Sequence, residues 1–196
     1  TADEEWLVAL AGEAGKVIHR AWRVEQLQVK AQLFETLASV SQTINSTINL
    51  DDALSVITRE ACGLMQAKVC SVMLLDDTRA WLDLRASHGA GPAYINKPRL
   101  EVSESLFGVV VRRRKPLQIA NVQTSGRYQN AEIARIEGLV ALLSVPLVFA
   151  SQAVGALSVY TSEPHRYSLQ EIKTLSVLAN LAAVAIDNAR LHEKIV

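Results

Sequence analysis

Residues 142–161 read Leu-Leu-Ser-Val-Pro-Leu-Val-Phe-Ala-Ser-Gln-Ala-Val-Gly-Ala-Leu-Ser-Val-Tyr-Thr, and this stretch decides the fold. Leu142–Phe149 and Ala153–Thr161 are mostly apolar runs of strand-forming residues, joined by Ala150-Ser151-Gln152. Two such runs across a short connection predict an antiparallel hairpin. Upstream, Val69–Leu75 is another strand-like run, closed by Asp76-Asp77. Trp81–His88 alternates, with Leu82, Leu84 and Ala86 on one face and Asp83, Arg85 and Ser87 on the other. These two make a second hairpin, and Pro116–Ala120 reads as a further short strand.

Helical signals surround the strands. Asn49-Leu50-Asp51-Asp52 opens a helix, with Asn49 as cap and two aspartates where the helix dipole favours negative charge. Its apolar face is Ala53, Leu54, Ile57, Ala61, Leu64 and Met65, and it should end near Ala67. A final helix starts at Ser168, where Glu171 three residues on completes a capping box. Leu106, Phe107, Val110 and Val111 suggest a short helix covering the sheet, and Ile133 and Ile136 mark an amphipathic turn within 125–139. The order is helix, two strands, loop-helix, strand, loop-helix, two strands, helix. That predicts an α+β fold: a central antiparallel sheet of five to six strands with helices on both faces, flanked by long terminal helices.

The first 46 residues carry a different pattern. Leu7, Leu10, Ala14, Val17, Ala21 and Val24 are spaced alternately by three and four, the seam of a helix that pairs with another helix. Leu33, Leu37, Val40 and Ile44 continue the spacing in a shifted frame, as in a stutter. At an offset of 168 residues this first segment matches the last one: Leu7 meets Leu175, Ala14 meets Ala182, Ile18 meets Ile186 and Ala21 meets Ala189. Residues 1–30 are therefore expected to be the closing helix of an earlier domain of the same type, or a linker helix. Residues 31–48 would connect, 49–190 would form the globular domain and 191–196 would start an outgoing helix.

Composition narrows the function classes. Hydrophobic residues make up 49% of 196, enough for a sizeable core, and the net charge is zero. A zero balance argues against a nucleic-acid module, which is usually clearly basic. No apolar stretch approaches the ~18 residues needed to span a bilayer. Cys62 and Cys70 fit neither a zinc knuckle nor a Cys-x-x-Cys redox pair, and buried thiols in a reducing cytoplasm are expected. His19, His88, His165 and His192 form no ligating cluster, so no metal site is expected. No Gly-x-Ser-x-Gly or Walker-type loop occurs, so no catalytic residues are assigned. Gly89-Ala90-Gly91-Pro92 reads as a plain loop that precedes no helix. Arg112-Arg113-Arg114-Lys115 is the one basic run, either a solvated helix end or a surface for an anion.

In order, several pieces resemble the GAF family of regulatory domains. They are Leu37-x-x-Val40-Ser41-x-x-Ile44, Ser71-Val72-Met73-Leu74-Leu75-Asp76, Ala86-Ser87-His88-Gly89, Ser105-Leu106-Phe107-Gly108-Val109-Val110 and Lys115-Pro116-Leu117-Gln118-Ile119. Ser144-Val145-Pro146-Leu147, Val154-Gly155-Ala156-Leu157-Ser158-Val159-Tyr160 and the closing Leu178-Ala179-x-x-Ala182-x-x-x-Ile186-x-Asn188-Ala189-Arg190-Leu191 complete the match. The resemblance implies a profilin-like sandwich with a small-molecule pocket between the sheet and the loop-helices. Here that pocket would be lined by Leu84, Leu106, Phe107, Val110, Ile119, Tyr128, Ile136, Leu142 and Ser144, unless these side chains simply fill the core. It also implies a homodimer through the terminal helices, placing Leu7, Leu10, Ala14, Val17, Ala21, Leu175, Ala182, Ile186 and Ala189 at the interface.

Features of specialised relatives are incomplete. Asn96-Lys97 resembles the start of the cyclic-nucleotide signature, but the later Phe and Asp-Glu pair are missing. No Cys stands in 103–139 for a bilin, and neither Cys62 nor Cys70 is in a pocket loop as in the methionine sulfoxide reductases. His88 stands alone as a haem ligand, without partner geometry. No cofactor is assigned. The expectation is a cytoplasmic sensory module that binds an unidentified small molecule and relays its state to an effector, such as a histidine kinase or cyclic-nucleotide enzyme. A ligand-free dimerisation and transmission module is the alternative.

Overall fold

The computed structural model describes residues 49–193, together with 13–17, 20, 21, 24, 28, 31, 35 and 38. The chain divides into two compact units, Thr1–Thr36 and Leu37–Val196. In the first unit the described residues are helical, and Lys16 Nζ meets Glu13 Oε1 at 2.8 Å one turn away. Of the expected interface residues, Leu7 and Leu10 lie outside the described residues, while Ala14, Val17 and Ala21 are exposed.

The second unit is built from α1 (Leu50–Leu64), β1 (Val69–Leu75), β2 (Trp81–His88), α2 (Pro92–Ile95), β3 (Leu100–Glu101), α3 (Leu106–Arg113), β4 (Leu117–Ile119), α4 (Ala131–Ile136), β5 (Leu142–Phe149), β6 (Gln152–Tyr160) and α5 (Leu169–Glu193). The caps that the sequence announces form. Asn49 accepts from the Asp51 amide, and Ser168 and Glu171 exchange side-chain-to-amide hydrogen bonds of 3.2 and 2.7 Å. Six strands form one sheet in the order β3-β2-β1-β6-β5-β4, antiparallel at every pairing.

Strand alternation gives this sheet two different faces. Cys70, Val72 and Leu74 of β1, Leu143, Val145 and Leu147 of β5, and Leu157 and Val159 of β6 pack against α1 and α5. Val69, Met73, Leu142, Ala156 and Tyr160 point the other way, toward α2, α3 and α4. The α1/α5 side is a conventional apolar core, sealed by Leu54 and Ile57 of α1 and by Leu175, Leu178 and Ala179 of α5.

This packing corrects the expected dimer face of the last helix. Leu175, Ala182 and Ile186 are 0% exposed because they seat α5 on its own sheet, so they cannot also meet a second chain. Ala189 remains half-buried. It also corrects the reading of hydropathy, since Leu169–Ala189 is long and apolar enough to cross a bilayer by length and composition. Its apolar stripe is the inner face of a core helix. Two further elements escape the sequence reading. Gly91-Pro92 does open a helix, the four-residue α2, with Gly91 as N-cap, and β3 adds a sixth strand beyond β2.

Candidate functional site

The face of the sheet beneath α2, α3 and α4 holds buried polar groups. Its centre is Tyr160, the last residue of β6, fully buried. The Tyr160 hydroxyl lies 3.0 Å from that of Tyr128 and accepts from that of Tyr94 at 3.3 Å. Tyr94 is in turn 2.8 Å from Ser71 Oγ on β1. The rings meet edge to face, with centroids 5.6 Å apart for Tyr94 and Tyr160 and 6.4 Å for Tyr128 and Tyr160. Beside them Ser158 Oγ donates to Ser144 Oγ at 2.9 Å, across the directly opposed pair Ser144 and Ser158. Burial raises the pKa of all three phenols, that of Tyr128 to about 12, so they stay neutral donors.

Local structure aims Tyr94 inward. The Gly91 and Tyr94 amides, at the start of α2, donate to Glu137 Oε2 and Oε1 at 2.9 and 3.1 Å. The Glu137 carbonyl, just past α4, accepts from Lys68 Nζ at 2.7 Å. One carboxylate thus satisfies the Gly91 amide, shares the Tyr94 amide with the Gly91 carbonyl, and ties α2 to α4. On the third element, Ser105 Oγ accepts from the Gly108 amide, capping α3. Gly108 lets α3 lie directly on the Val102 carbonyl, where any Cβ would collide.

Lys97 follows α2 and folds back over it. The residue is 8% exposed, and its Nζ has no hydrogen-bond partner among the described residues. The ammonium stands 3.5 Å from the centroid of the Tyr94 ring and 5.8 Å from that of Phe107. These π-faces compensate a cation in part. Burial still lowers the Lys97 pKa to about 7, because the desolvated charge lacks an anion.

Six of the nine expected pocket residues are buried: Leu106, Phe107, Val110, Tyr128, Leu142 and Ser144. Five belong to the cluster on this face, and Ser144 lies in the serine pair beside it. Leu84 and Ile119 are half-buried and pack against the same cluster. Ile136 does not, being 67% exposed; α4 instead turns Ala134 inward, with Ile133 beside it. The sequence reading missed Ser71, Tyr94, Lys97, Ser158 and Tyr160. For the two serines a signal existed, since Ser71 is the polar residue of a buried apolar strand and Ser158 interrupts the buried apolar run Gly155–Val159.

The thiols lie on the opposite, α1/α5 side. Burial raises both pKa values, that of Cys70 strongly, so neither is poised as a thiolate. His88 is exposed at the end of β2, and among the described residues no group of three His, Cys, Asp or Glu side chains stands close enough to hold a metal. In the basic run, Arg112 donates to the Val102 carbonyl and Arg114 to that of Ser151 at 2.7 Å. With Arg79 they line a shallow cleft at the tip of the β5–β6 hairpin.

A family model described as GAF domain matches residues 47–187. The Escherichia coli (strain K12) phosphoenolpyruvate-dependent phosphotransferase system protein is 28% identical over 160 residues, covering 79% of this chain and 21% of the relative. The methyl sulfide methyltransferase-associated sensor of Methanosarcina acetivorans is 24% identical over 177 residues, 85% of this chain and 17% of the relative. A solved GAF domain from a phosphoenolpyruvate-protein phosphotransferase of Coxiella burnetii superposes with a TM-score of 0.73 at 25% identity, covering 84% of this chain and 98% of that one. The chain spans about a fifth of the length of these curated relatives.

Proposed function

The chain belongs to the GAF domain family, whose members are sensory and regulatory modules of signalling proteins, and from that premise we propose that it binds a small molecule between the sheet and α2–α4 and relays occupancy through α5. The observation that carries this reading is the hydroxyl cluster of Ser71, Tyr94, Tyr128 and Tyr160, held with the Lys97 ammonium under three short helices. A face that served only as core would have little use for four linked hydroxyls; the α1/α5 face is mainly apolar and its polar groups, such as Thr58 and Tyr167, stand singly, because buried polar groups cost free energy without adding packing.

A relay route is built into the strands. On β5, Leu142 and Ser144 face the polar side while Leu143, Val145 and Leu147 contact the layer that holds α5. A ligand that draws β5 and β6 toward α3 and α4 therefore displaces the seat of Leu175, Ala182 and Ile186. Segments 91–104 and 122–138 are the walls that would order on binding. A metabolite screen by thermal shift tests this, with hydrogen exchange on any hit. The expected result is a compound that raises Tm and slows exchange in both wall segments and in α5. Protection confined to the α1/α5 side, or no hit, would overturn it.

A second reading, ligand-free dimerisation, is favoured by Val17 and Val24. They stand seven residues apart at helical positions of the first unit, 65% and 53% exposed. In that reading this segment pairs with the same segment of a second copy, and the double variant Val17→Glu/Val24→Glu would be monomeric by light scattering where the unmodified chain is a dimer.

A further inference from the structure

We infer that Lys97 is the receptor for the carboxylate of a small organic acid, bound among the hydroxyls of Ser71, Tyr94, Tyr128 and Tyr160. The inference rests on the sensory reading above and names the chemistry of its ligand.

The donor count points to an acceptor. The four hydroxyls carry four O–H donors but share three hydrogen bonds, so one O–H is left over. Lys97 adds a buried ammonium whose donors are all unused among the described residues. The Glu137 carboxylate on this side is already engaged by the Gly91 and Tyr94 amides and makes no hydrogen bond to Nζ. A buried amino group without a hydrogen-bond partner and a spare O–H beside it suit a group that only accepts, and an ionised carboxylate is such a group.

Charge sets the class further. The rings against Lys97 Nζ are those of Tyr94 and Phe107, the phenols of Tyr94, Tyr128 and Tyr160 in this cluster are kept neutral by burial, and the Glu137 carboxylate is engaged by the Gly91 and Tyr94 amides. A monoanion therefore neutralises Lys97, whereas a phosphate dianion leaves one negative charge buried and unpaired. The apolar remainder of the face includes Leu82, Phe107, Val110 and Leu142, which favours a ligand with a short hydrocarbon body. Because burial holds Lys97 near neutrality in the free protein, the arriving carboxylate draws a proton onto Nζ.

The test uses three probes: propionate, the uncharged isostere propionamide, and inorganic phosphate. Each is titrated calorimetrically into the chain and into Lys97→Met, in two buffers of different ionisation enthalpy at pH 8. The expected result is that propionate binds the unmodified chain with proton uptake. Lys97→Met, folded by circular dichroism, should lose at least tenfold in affinity, and propionamide and phosphate should each bind at least tenfold more weakly. Equal binding of propionate and propionamide, retained affinity in Lys97→Met, or tighter binding of phosphate would overturn the carboxylate inference while leaving the sensory reading standing. If none of the probes binds, the inference falls; the sensory reading falls with it only if the metabolite screen also yields no hit.

Discussion

The amino group of Lys97 sits 3.5 Å above the centre of the Tyr94 ring. The turn that closes the one-turn helix α2 makes this possible: Lys97, two residues past its end, donates its amide to the Tyr94 carbonyl at 3.4 Å. Tyr94 thereby presents two different surfaces: its π-face to a cation and its hydroxyl to Ser71 and Tyr160.

This placement has a pH signature. Burial lowers Lys97 to about 7, while the unfolded chain titrates near ~10.4. Between those values the unfolded chain carries a proton that the folded chain lacks, so stability rises with pH across the window. The buried charge imposes no penalty above ~10, and the full penalty is reached as the pH falls to about 7. In urea denaturation the unmodified chain should gain on Lys97→Met by up to ~1.4 kcal/mol per pH unit between pH 7.5 and 9.5. Parallel curves for the two proteins would show that Lys97 is solvated.

Gly108 is required where α3 crosses the Val102 carbonyl. Gly108→Ala drives a methyl into backbone rather than into a flexible side chain, so the helix must move. A loss of about 2 kcal/mol is expected by thermal or chemical denaturation. A neutral or stabilising substitution would mean that α3 sits farther from the sheet edge.

The carboxylate of Glu137 joins two elements that share no sequence neighbourhood. Glu137→Ala leaves the Gly91 amide without its acceptor and the Tyr94 amide with the Gly91 carbonyl alone, at about 1–3 kcal/mol. Faster hydrogen exchange should be confined to 91–97 and the α4 region, with α1 unchanged. Uniform acceleration would indicate global rather than local loosening.

The β5–β6 hairpin turns on two non-glycine residues with positive φ, Ala150 at 45° and Ser151 at 66°. Both angles match the tight turn that favours Asn-Gly. Ala150→Asn with Ser151→Gly should therefore raise stability by about 1 kcal/mol, read as a higher Tm.

Legibility followed the length of each periodic signal. β1, β2, β5 and β6 each run seven to nine residues, long enough for composition or alternation to show. Most of the apolar lining of the site lies on these strands or on the eight-residue α3, and it was readable for that reason. Tyr94 and Lys97 were not, because a four-residue helix completes barely one turn and leaves no period to detect. On the six-residue α4 the period was ambiguous, and Ile136 fell on the solvent side while Ala134 turned inward. Ala182 and Ile186 illustrate another limit. A stripe with three-and-four spacing looks the same whether it seats a helix on its own sheet or on a second chain. Only the position of β5 beneath α5 separates the two.

The most direct measurement is the titration of the Lys97 side chain itself, followed by NMR on protein carrying labelled lysine, without and with saturating propionate. The expected result is a midpoint near 7 in the free protein that rises by at least one pH unit when the carboxylate is bound. A free-protein midpoint in the ordinary lysine range, or one that propionate leaves in place, would contradict a carboxylate receptor at this position.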